Sequence, residues 1–348
     1  MKIVVDDKIP YIRETICQLA DEVVFLSGAA ITAEDVKDAD VLVVRTRTHC
    51  NRQLLEGSKV QLVLTATIGY DHIDTEWLES AGIRWTNCPG CNSGSVAQYL
   101  ECSLLLLEQQ KGLSLRQSTI GIVGCGHVGS KVKTIAERLG MRVLVCDPPL
   151  ANSPRNATLS QREQLTANSY VSLSEIERNS DVITFHVPLT KEGNYPTWHL
   201  ADEDFFHRLS RVPYIINTSR GEVVDNQALL RALNEGRVRD AVIDVWENEP
   251  HLDAALLEKV FIGTPHIAGY SADGKVNADN MVIDAICQHF GLSHPAIIAP
   301  PALPGDFHYT GNPLELYNPM NDSQKLKAES SHFEQLRNDY PLRREKID

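Results

Sequence analysis

The chain has 348 residues, with 33 basic and 46 acidic side chains, a formal net charge of −13 and 43% hydrophobic residues. At ~150 residues per domain, this length predicts about two domains. The composition is that of a globular protein able to bury a sizeable core, and it excludes a largely disordered chain. The acidic balance argues against nucleic-acid or anionic-membrane partners, because both would require a basic face. No apolar run approaches the ~18 residues that a membrane span needs.

The N-terminus and the cysteines indicate where the protein is located. The first segment turns acidic at Asp6 and Asp7, so we expect neither a signal peptide nor a transit peptide. Of the eight cysteines, only Cys88 and Cys91 have the spacing of a zinc or redox site, and no matching second pair follows. A redox pair remains an alternative, but reduced structural thiols and no metal are expected. This cysteine usage is typical of a cytoplasmic protein.

Short β-branched runs alternate with amphipathic segments along the chain, which predicts parallel sheets built from βαβ units. In the first series, strands are expected at Lys2–Asp6, Val23–Leu26, Val41–Arg45 and Val60–Thr65, and helices at Ile12–Ala20 and Ala33–Asp38. A helix at Ser93–Gln110 leads to strands at Thr119–Val123, Val143–Cys146, Val182–Val187, Tyr214–Asn217, Ala241–Val245 and Val260–Ile262. The stretch Leu150–Ala167 is polar and is expected at the surface. After Pro304 the chain becomes polar and charged, which predicts a short C-terminal appendage.

A glycine-rich segment predicts a dinucleotide site. The strand Thr119–Val123 runs into G-x-G-x-x-G and then into a helix expected at Ser130–Leu139. The first glycine permits a tight turn, the second lets a pyrophosphate approach the backbone, and the third lets helix and strand pack closely. The helix N-terminus adds N–H groups and positive potential. Cofactor contacts are therefore predicted at Gly124, Gly126, His127, Val128 and Gly129, the alternative being a glycine turn without a ligand.

Asp147 decides between the two nicotinamide cofactors. It ends the next predicted strand, 18 residues past Gly129. A carboxylate at this point accepts hydrogen bonds from the ribose hydroxyls and repels a 2′-phosphate. No basic residue follows until Arg155. The sequence therefore predicts NAD.

Three polar residues each follow a predicted strand: Arg220, Glu249 and His266. Ligands of an open parallel sheet bind outside the carboxyl ends of its strands, so these side chains could converge there. An arginine binds a carboxylate bidentately, and a histidine can take a hydroxyl proton near neutral pH. A carboxylate hydrogen-bonded to that ring fixes its tautomer and favours its protonated form. The chain has 12 histidines, and others, such as His186 and His199, are interpreted as structural or solvated.

Four segments resemble the D-2-hydroxyacid dehydrogenases: Gly124–Gly129, Asn217–Gly221, Asp244–Pro250 and Pro265–Gly269. The resemblance covers roughly residues 1–300 and resumes at Phe333–Tyr340 and Leu342–Glu345. It implies an α/β fold of two doubly wound parallel-sheet domains, one flavodoxin-like for substrate (1–92 and 267–304) and one Rossmann domain for NAD (93–266). It also implies that residues 305–348 form a dimerisation tail and that the protein is a homodimer.

The resemblance further implies a role for individual residues. Arg220 would bind the substrate carboxylate and carbonyl oxygen, Glu249 would orient the histidine, and His266 would be the acid/base. The NAD contacts would be made by Asp147, Thr218, Ser219, Arg220, Asp244 and Gly269. The substrate contacts would be made by Thr46, Thr67 and Tyr270.

The resemblance is greatest to members that act on a phosphorylated substrate, and an acidic protein would need local cations or backbone donors to hold that phosphate. Arg45 and Arg47 flank Thr46 just after a predicted strand, and in an extended segment both arginines would share one side. We expect Arg45, Thr46 or Arg47 to join Thr67 in binding the phosphate through charge-assisted hydrogen bonds. The alternative is a solvated strand end. Arg343 and Arg344 in the tail could add to this site from a second subunit.

The resemblance therefore implies an oxidoreductase that uses NAD to oxidise a small phosphorylated 2-hydroxy acid to the 2-oxo acid. Two alternatives remain. Within the same class, the substrate could be another D-2-hydroxy acid, such as 3-phosphoglycerate or glycerate. In a different class, the fold could serve a non-enzymatic NAD sensor, because a fold does not fix a function; the presence of all three residues Arg220, Glu249 and His266 argues against it.

Overall fold

The computed structural model describes residues 1–152 and 170–345. The chain divides into two compact units. Unit 1 comprises Met1–Asn92 and Tyr270–Phe307, and unit 2 comprises Ser93–Gly269 and His308–Asp348. Each unit contains one parallel sheet, so the predicted α/β class with two parallel sheets is confirmed. Most of the stretch Leu150–Ala167, including Arg155, lies outside the described residues.

The sheet of unit 1 has five parallel strands in the order β2-β1-β3-β4-β5, which is the flavodoxin-like order. The strands are β1 (Lys2–Asp6), β2 (Glu22–Leu26), β3 (Val41–Val44), β4 (Leu62–Thr65) and β5 (Arg84–Thr86). The helices are Arg13–Ile16, Ala33–Val36, Arg52–Leu55, Thr75–Ser80 and Ala272–Phe290. Apolar clusters pack on both faces of the sheet, around Val5 on one side and Val4 on the other. Burial on both faces explains why β1, β3 and β4 are predictable as apolar runs.

The sheet of unit 2 has six parallel strands in the order β7-β6-β8-β9-β10-β11. They are β6 (Thr119–Val123), β7 (Arg142–Cys146), β8 (Val182–Phe185), β9 (Tyr214–Asn217), β10 (Asp240–Ile243) and β11 (Ile262–Gly263). Tyr170 adds one parallel bridge beside β7 at Val145. With that bridge as the third strand, the sheet follows the Rossmann order 3-2-1-4-5-6 and continues by one strand.

Helices cover the sheet of unit 2, and the C-terminal tail belongs to this unit. The helices before the tail are Ser93–Lys111, His127–Arg138, Pro148–Asn152, Leu173–Asn179, Glu203–Arg208, Asn226–Asn234 and Ala254–Lys259. Those of the tail are Pro313–Leu316, Pro319–Ala328 and Phe333–Asn338. Leu326 and Phe333 of the tail are buried in the core of unit 2. Within residues 1–152 and 170–345, every helix is too short or too polar to cross a bilayer.

Candidate active site

The glycine loop after β6 has the geometry of a dinucleotide-binding turn. Gly124 has φ +91°, and a Cβ there would lie 2.5 Å from the carbonyl oxygen of His186. A Cβ at Gly129 would lie 2.0 Å from the Gly124 oxygen, so helix and strand pack at a distance that only glycine allows. A Cβ at Gly126 would meet nothing within 4 Å. Each glycine therefore has the environment that its predicted role requires.

The helix after this loop can receive phosphate groups at its N-terminus. It begins at His127, three residues earlier than predicted, and no side chain caps it at Gly126. The first N–H groups of a helix have no partner within the helix, and they attract anions. The open space at Gly126 and these donors fit the pyrophosphate of a dinucleotide.

Asp147 lies at the carboxyl end of β7 and is tied to the glycine loop. Its carboxylate accepts the backbone N–H of Cys125 at 2.7 Å and that of Leu150 at 3.0 Å. These bonds fix the carboxylate beside the loop, where an acidic residue of a Rossmann unit meets the ribose hydroxyls. Its contact with NAD stays a prediction.

The segment after β9 holds Arg220 through the side chain of Asn217. This buried amide accepts the Ser219 N–H at 3.1 Å and the Ser219 hydroxyl at 2.9 Å, and it donates to the Arg220 oxygen at 2.9 Å. The guanidinium is partly buried and donates to the Ser219 oxygen at 2.8 Å. Among the residues that the structure describes, no carboxylate forms an ion pair with Arg220, so its fork can bind a substrate carboxylate. The Thr218 hydroxyl is buried and has no hydrogen-bond partner among the described residues.

Glu249 and His266 form a direct hydrogen bond, with His266 Nδ1 donating to Glu249 Oε2 at 2.8 Å. The other carboxylate oxygen accepts the backbone N–H of Trp246 at 2.9 Å, and an Arg337 guanidinium nitrogen lies 3.8 Å from Oε2. Because Nδ1 is engaged, Nε2 is the ring nitrogen that can exchange a proton with a ligand. The two residues follow β10 and β11, which are neighbours in the sheet.

The electrostatics of this pair favour an ionised carboxylate. Burial acts to raise the pKa of Glu249, but the hydrogen bond and charge of His266 act against it, together with the Trp246 amide and Arg337. The net result is a lowered pKa. A carboxylate that stays charged beside the ring stabilises the imidazolium that forms when His266 takes a proton.

Asp244 braces the segment that carries His266. It is 1% exposed, and its carboxylate accepts the Thr264 hydroxyl at 2.6 Å, the Ile267 N–H at 2.8 Å and the Ala268 N–H at 2.9 Å. Its carbonyl oxygen accepts the His266 N–H at 2.8 Å. These bonds hold His266 in the left-handed region, at φ +57°. The predicted contacts of Asp244 and Gly269 with NAD stay predictions.

In unit 1, Thr46 and Thr67 follow the carboxyl ends of β3 and β4, and Tyr270 precedes the helix Ala272–Phe290. The Thr67 hydroxyl donates to the Gly69 oxygen at 2.9 Å and lies 2.7 Å from the Thr65 hydroxyl. Thr46 and Arg47 are exposed and lie in a turn, because the ladder of β3 with β4 ends at Val44. The extended geometry predicted for Arg45–Arg47 is therefore wrong, and with it the argument that the two arginines share one side.

Lys275 is a cation that the sequence analysis missed. It lies in the first turns of the helix Ala272–Phe290, with Nζ 4.5 Å from the centroid of the Tyr270 ring. Burial lowers the pKa of Lys275, and the nearby charge of Arg45 lowers it further, against Tyr270, Cys91 and Asp279, which raise it. The Arg45 guanidinium donates to the Lys8 oxygen at 3.2 Å. Arg45 and Lys275, the cationic cluster of unit 1, thus lie close enough for their charges to interact.

Asp279, a carboxyl whose charge interacts with this cluster, is only partly ionised near neutral pH. Asp279 is 1% exposed and accepts the Tyr11 N–H at 3.2 Å. Burial raises its pKa to about 7, against that hydrogen bond and the charges of Lys275 and Arg45. Because a guanidinium stays protonated in proteins and Asp279 is only about half ionised near pH 7, Arg45 gives the cluster a net positive charge, as a phosphate site requires. The only sequence signal was a lysine five residues after Tyr270, at the start of a helix.

The suggestion that Arg343 reaches a second subunit is wrong, because its side chain is 8% exposed and hydrogen-bonds within its own unit. His186 and His199 are held by protein groups. His186 is buried, its Nε2 is 3.0 Å from the Thr184 hydroxyl, and burial lowers its pKa to about 3. His199 Nε2 lies 2.6 Å from Glu247.

The chain is similar in sequence to proteins of known family. Residues 105–268 match the model of the D-isomer specific 2-hydroxyacid dehydrogenase NAD binding domain. The erythronate-4-phosphate dehydrogenase of Bacteroides thetaiotaomicron is 54% identical over 99% of this chain and 97% of its own length. The chain belongs to the erythronate-4-phosphate dehydrogenase family. The member from Porphyromonas gingivalis is 41% identical over 99% of this chain and 94% of its own length.

Solved structures of other 2-hydroxyacid dehydrogenases share the fold. The Aquifex aeolicus D-lactate dehydrogenase in complex with NAD and lactic acid has a TM-score of 0.66 and 25% identity, covering 84% of this chain and 96% of that one. The NAD-bound 3-phosphoglycerate dehydrogenase of Entamoeba histolytica has a TM-score of 0.66 and 30% identity, covering 84% and 95%. The predicted family and cofactor are confirmed: this member of the erythronate-4-phosphate dehydrogenase family is an NAD-dependent oxidoreductase.

Proposed function

We propose that the protein oxidises 4-phospho-D-erythronate at C2 to (R)-3-hydroxy-2-oxo-4-phosphooxybutanoate, a step of pyridoxal 5′-phosphate biosynthesis. The observation that carries the proposal is the 2.8 Å bond between His266 and Glu249, on the strand edge that also holds Arg220. The printed name of the relatives that match nearly the whole chain supports this choice of substrate.

The proposed chemistry assigns one task to each residue of unit 2. Arg220 binds the substrate carboxylate through its planar fork, which fixes the C2 hydroxyl relative to the ring of His266. His266 Nε2 takes the hydroxyl proton, and Glu249 stabilises the imidazolium through Nδ1. Bound NAD supplies the hydride acceptor for the C2 hydrogen. The substrate thus loses a proton from oxygen and a hydride from carbon, and a ketone results.

The same unit is proposed to bind the cofactor. Gly124, Gly126 and Gly129 would admit the pyrophosphate, together with the His127 and Val128 amides. Asp147 would accept the ribose hydroxyls and disfavour a 2′-phosphate. Further contacts are proposed for Thr218, Ser219, Asp244 and Gly269. Their support is the order of the strands and the space at Gly126.

Unit 1 is proposed to bind the substrate through Thr46, Thr67 and Tyr270. We assign the phosphate to Arg45 and Lys275, with Arg47 as a further donor. A phosphate that bears nearly two negative charges is bound best by cations in a partly buried site, because charge-assisted hydrogen bonds are strongest there. We further propose that the protein is a cytoplasmic homodimer and that residues 305–348 contribute to the dimer interface. Sedimentation velocity measures the oligomeric state of the protein.

A substrate panel tests the function. The native protein is assayed with NAD and 4-phospho-D-erythronate, D-erythronate, 3-phosphoglycerate or D-glycerate, and NADH is followed by absorbance. We expect the highest kcat/KM for 4-phospho-D-erythronate. A higher value for 3-phosphoglycerate or D-glycerate would assign the enzyme to that acid. NAD binding by calorimetry without turnover of any acid would instead favour the NAD sensor.

A further inference from the structure

Arg343 of the C-terminal tail places a buried guanidinium next to the segment that follows His266. Arg343 Nη1 donates to the Ile267 oxygen at 3.1 Å, and Nη2 donates to the Ala268 oxygen at 2.6 Å. The guanidinium carbon lies 3.9 Å from the centroid of the Tyr317 ring. Arg343 thus contacts the two peptide units that directly follow the proposed acid/base.

Other bonds orient this guanidinium on the helix Ser93–Lys111. Nε donates to Gln98 Oε1 at 2.9 Å, and Nη2 donates to the Ser95 oxygen at 3.2 Å. The Gln98 amide in turn donates to the main-chain oxygens of Arg344 and Glu345, each at 2.8 Å. The tail and the helix therefore hold Arg343 in one orientation.

Asp244 and Arg343 act on the same two residues. The Asp244 carboxylate accepts hydrogen bonds from the N–H groups of Ile267 and Ala268, and Arg343 donates to their carbonyl oxygens. Two buried, oppositely charged side chains thus fix this backbone, which starts from the unfavourable φ of His266. A non-glycine residue keeps such a conformation only where the surroundings impose it.

We infer that Arg343 is a positioning residue, which acts through the Ile267 and Ala268 carbonyls to hold the His266 ring in its bond to Glu249. The inference rests on the proposed acid/base role of His266. The tail is then needed for catalysis within its own chain, in addition to any role in dimerisation. A lysine cannot replace Arg343, because one ammonium does not present a planar fork to both carbonyls and to Gln98.

The first test compares Arg343→Lys and Arg343→Gln with Leu326→Val, a matched control in a buried tail residue that does not bond to residues 266–268. We expect kcat to fall roughly 10–100-fold in the Arg343 variants, since small displacements of catalytic groups have effects of that size. We expect a lower melting temperature with unchanged kcat in Leu326→Val. If Arg343→Gln does not fold, Arg343→Lys carries the comparison.

The second test asks whether Arg343 acts through the hydrogen bond between His266 and Glu249. Glu249 and Asp244 interact with the charge of His266, and Arg337 interacts with that of Glu249. Loosening the Glu249 contact should move the acidic limb of the kcat/KM profile for oxidation to lower pH in Arg343→Lys. In a Glu249→Gln background, Arg343→Lys should reduce kcat by no more than about twofold, because coupled residues are not additive.

A readout without substrate separates this inference from the proposed function. The His266 Nδ1–H proton, which is hydrogen-bonded to Glu249, is observed by NMR in ¹⁵N-histidine-labelled protein, with its signal assigned from its loss in His266→Gln. We expect this proton to exchange faster with water in Arg343→Lys and at the native rate in Leu326→Val. A native exchange rate in Arg343→Lys, or a loss of kcat greater than about twofold on adding Arg343→Lys to Glu249→Gln, would overturn the inference. A native protein that turns over no 2-hydroxy acid, with the faster exchange present in Arg343→Lys, would overturn the proposed function alone.

Discussion

Gly221 and Trp246 are in direct backbone contact: a Cβ at Gly221 would lie 2.0 Å from the Trp246 oxygen. Gly221 follows Arg220, and Trp246 donates its backbone N–H to Glu249. The absence of a side chain at Gly221 therefore brings the segment of Arg220 against the segment of Glu249. Trp246 also donates from its indole nitrogen to the Thr264 oxygen at 3.0 Å, which attaches the segment of His266.

Gly221→Ala is expected to separate these segments. The added methyl group would push against backbone, so we expect stability to fall by about 1–3 kcal/mol. A shift of Arg220 relative to Glu249 should lower kcat roughly 100-fold. Steady-state kinetics and thermal unfolding measure both effects. Gly305→Ala is the control, because a Cβ there meets nothing within 4 Å; equal kcat in both variants would remove the contact from the mechanism.

His266→Ala and Glu249→Gln should differ in a specific way. Loss of the acid/base should reduce kcat by ~10²–10⁴ at every pH, while NAD affinity stays within a few-fold. Glu249 is ionised because its pKa is lowered, and a negative charge beside an imidazole favours the protonated form of the ring. Replacement of Glu249 by glutamine should therefore move the acidic limb of kcat/KM for oxidation to lower pH. An unchanged pH profile of kcat/KM in Glu249→Gln would contradict the proposed action of Glu249 on His266.

The sequence predicted most of the sheet strands and missed those without an apolar pattern. β1, β6 and β9 have the predicted bounds, because strands buried on both faces appear as apolar runs. β5 was missed because Arg84 and Thr86 are exposed and only Trp85 is half-buried. The helix predicted at Ile12–Ala20 is only Arg13–Ile16, since an apolar pattern does not show where tertiary contacts end a helix.

The residues of the candidate site also differ in how far the sequence predicts them. Glu249 and His266 were predictable because each follows a strand, and strand order brings such ends together. Lys275 and Arg343 were not, because their surroundings depend on tertiary packing: a ring beside Lys275 and two main-chain oxygens beside Arg343. The five-residue spacing from Tyr270 to Lys275 does not by itself specify their contact, and no spacing indicates that of Arg343.

Asp147→Ala should weaken NAD binding and relax the preference against NADP. The carboxylate is fixed by the Cys125 and Leu150 amides, and losing its hydrogen bonds to the ribose should raise the Kd for NAD about 10–100-fold. Asp147→Asn keeps an acceptor for the Cys125 amide but lacks the charge, so it isolates repulsion of the 2′-phosphate. Calorimetry with NAD and NADP measures the ratio of their Kd values. A ratio near one in the native protein would already contradict the predicted preference for NAD.

Lys275→Gln should discriminate between substrates with and without a phosphate. A charge-assisted hydrogen bond contributes about 1.5–3 kcal/mol, so kcat/KM for 4-phospho-D-erythronate should fall roughly 10–100-fold. The value for D-erythronate should change less than about twofold, and inhibition by inorganic phosphate should weaken. Lys37→Gln is the control, since that side chain is exposed and pairs with Glu34. Equal losses on both substrates would make Lys275 a structural residue.

Asp279→Asn should flatten the dependence of stability on pH. The folded protein raises the pKa of Asp279 from 3.8 to about 7, so between these values the folded state binds more protons than the unfolded state. The stability from this group is complete below the unfolded pKa and is lost as pH rises through the folded pKa, by at most about 1.4 kcal/mol per pH unit. Asparagine still accepts the Tyr11 N–H and does not titrate. Melting temperatures from pH 4 to 8 should therefore fall less steeply in Asp279→Asn than in the native protein or in Asp306→Asn, which changes an exposed carboxyl of the same unit. If the melting temperatures of all three proteins depend on pH in the same way, Asp279 is already charged at neutral pH. Its carboxylate would then offset the positive charge of Arg45 and Lys275.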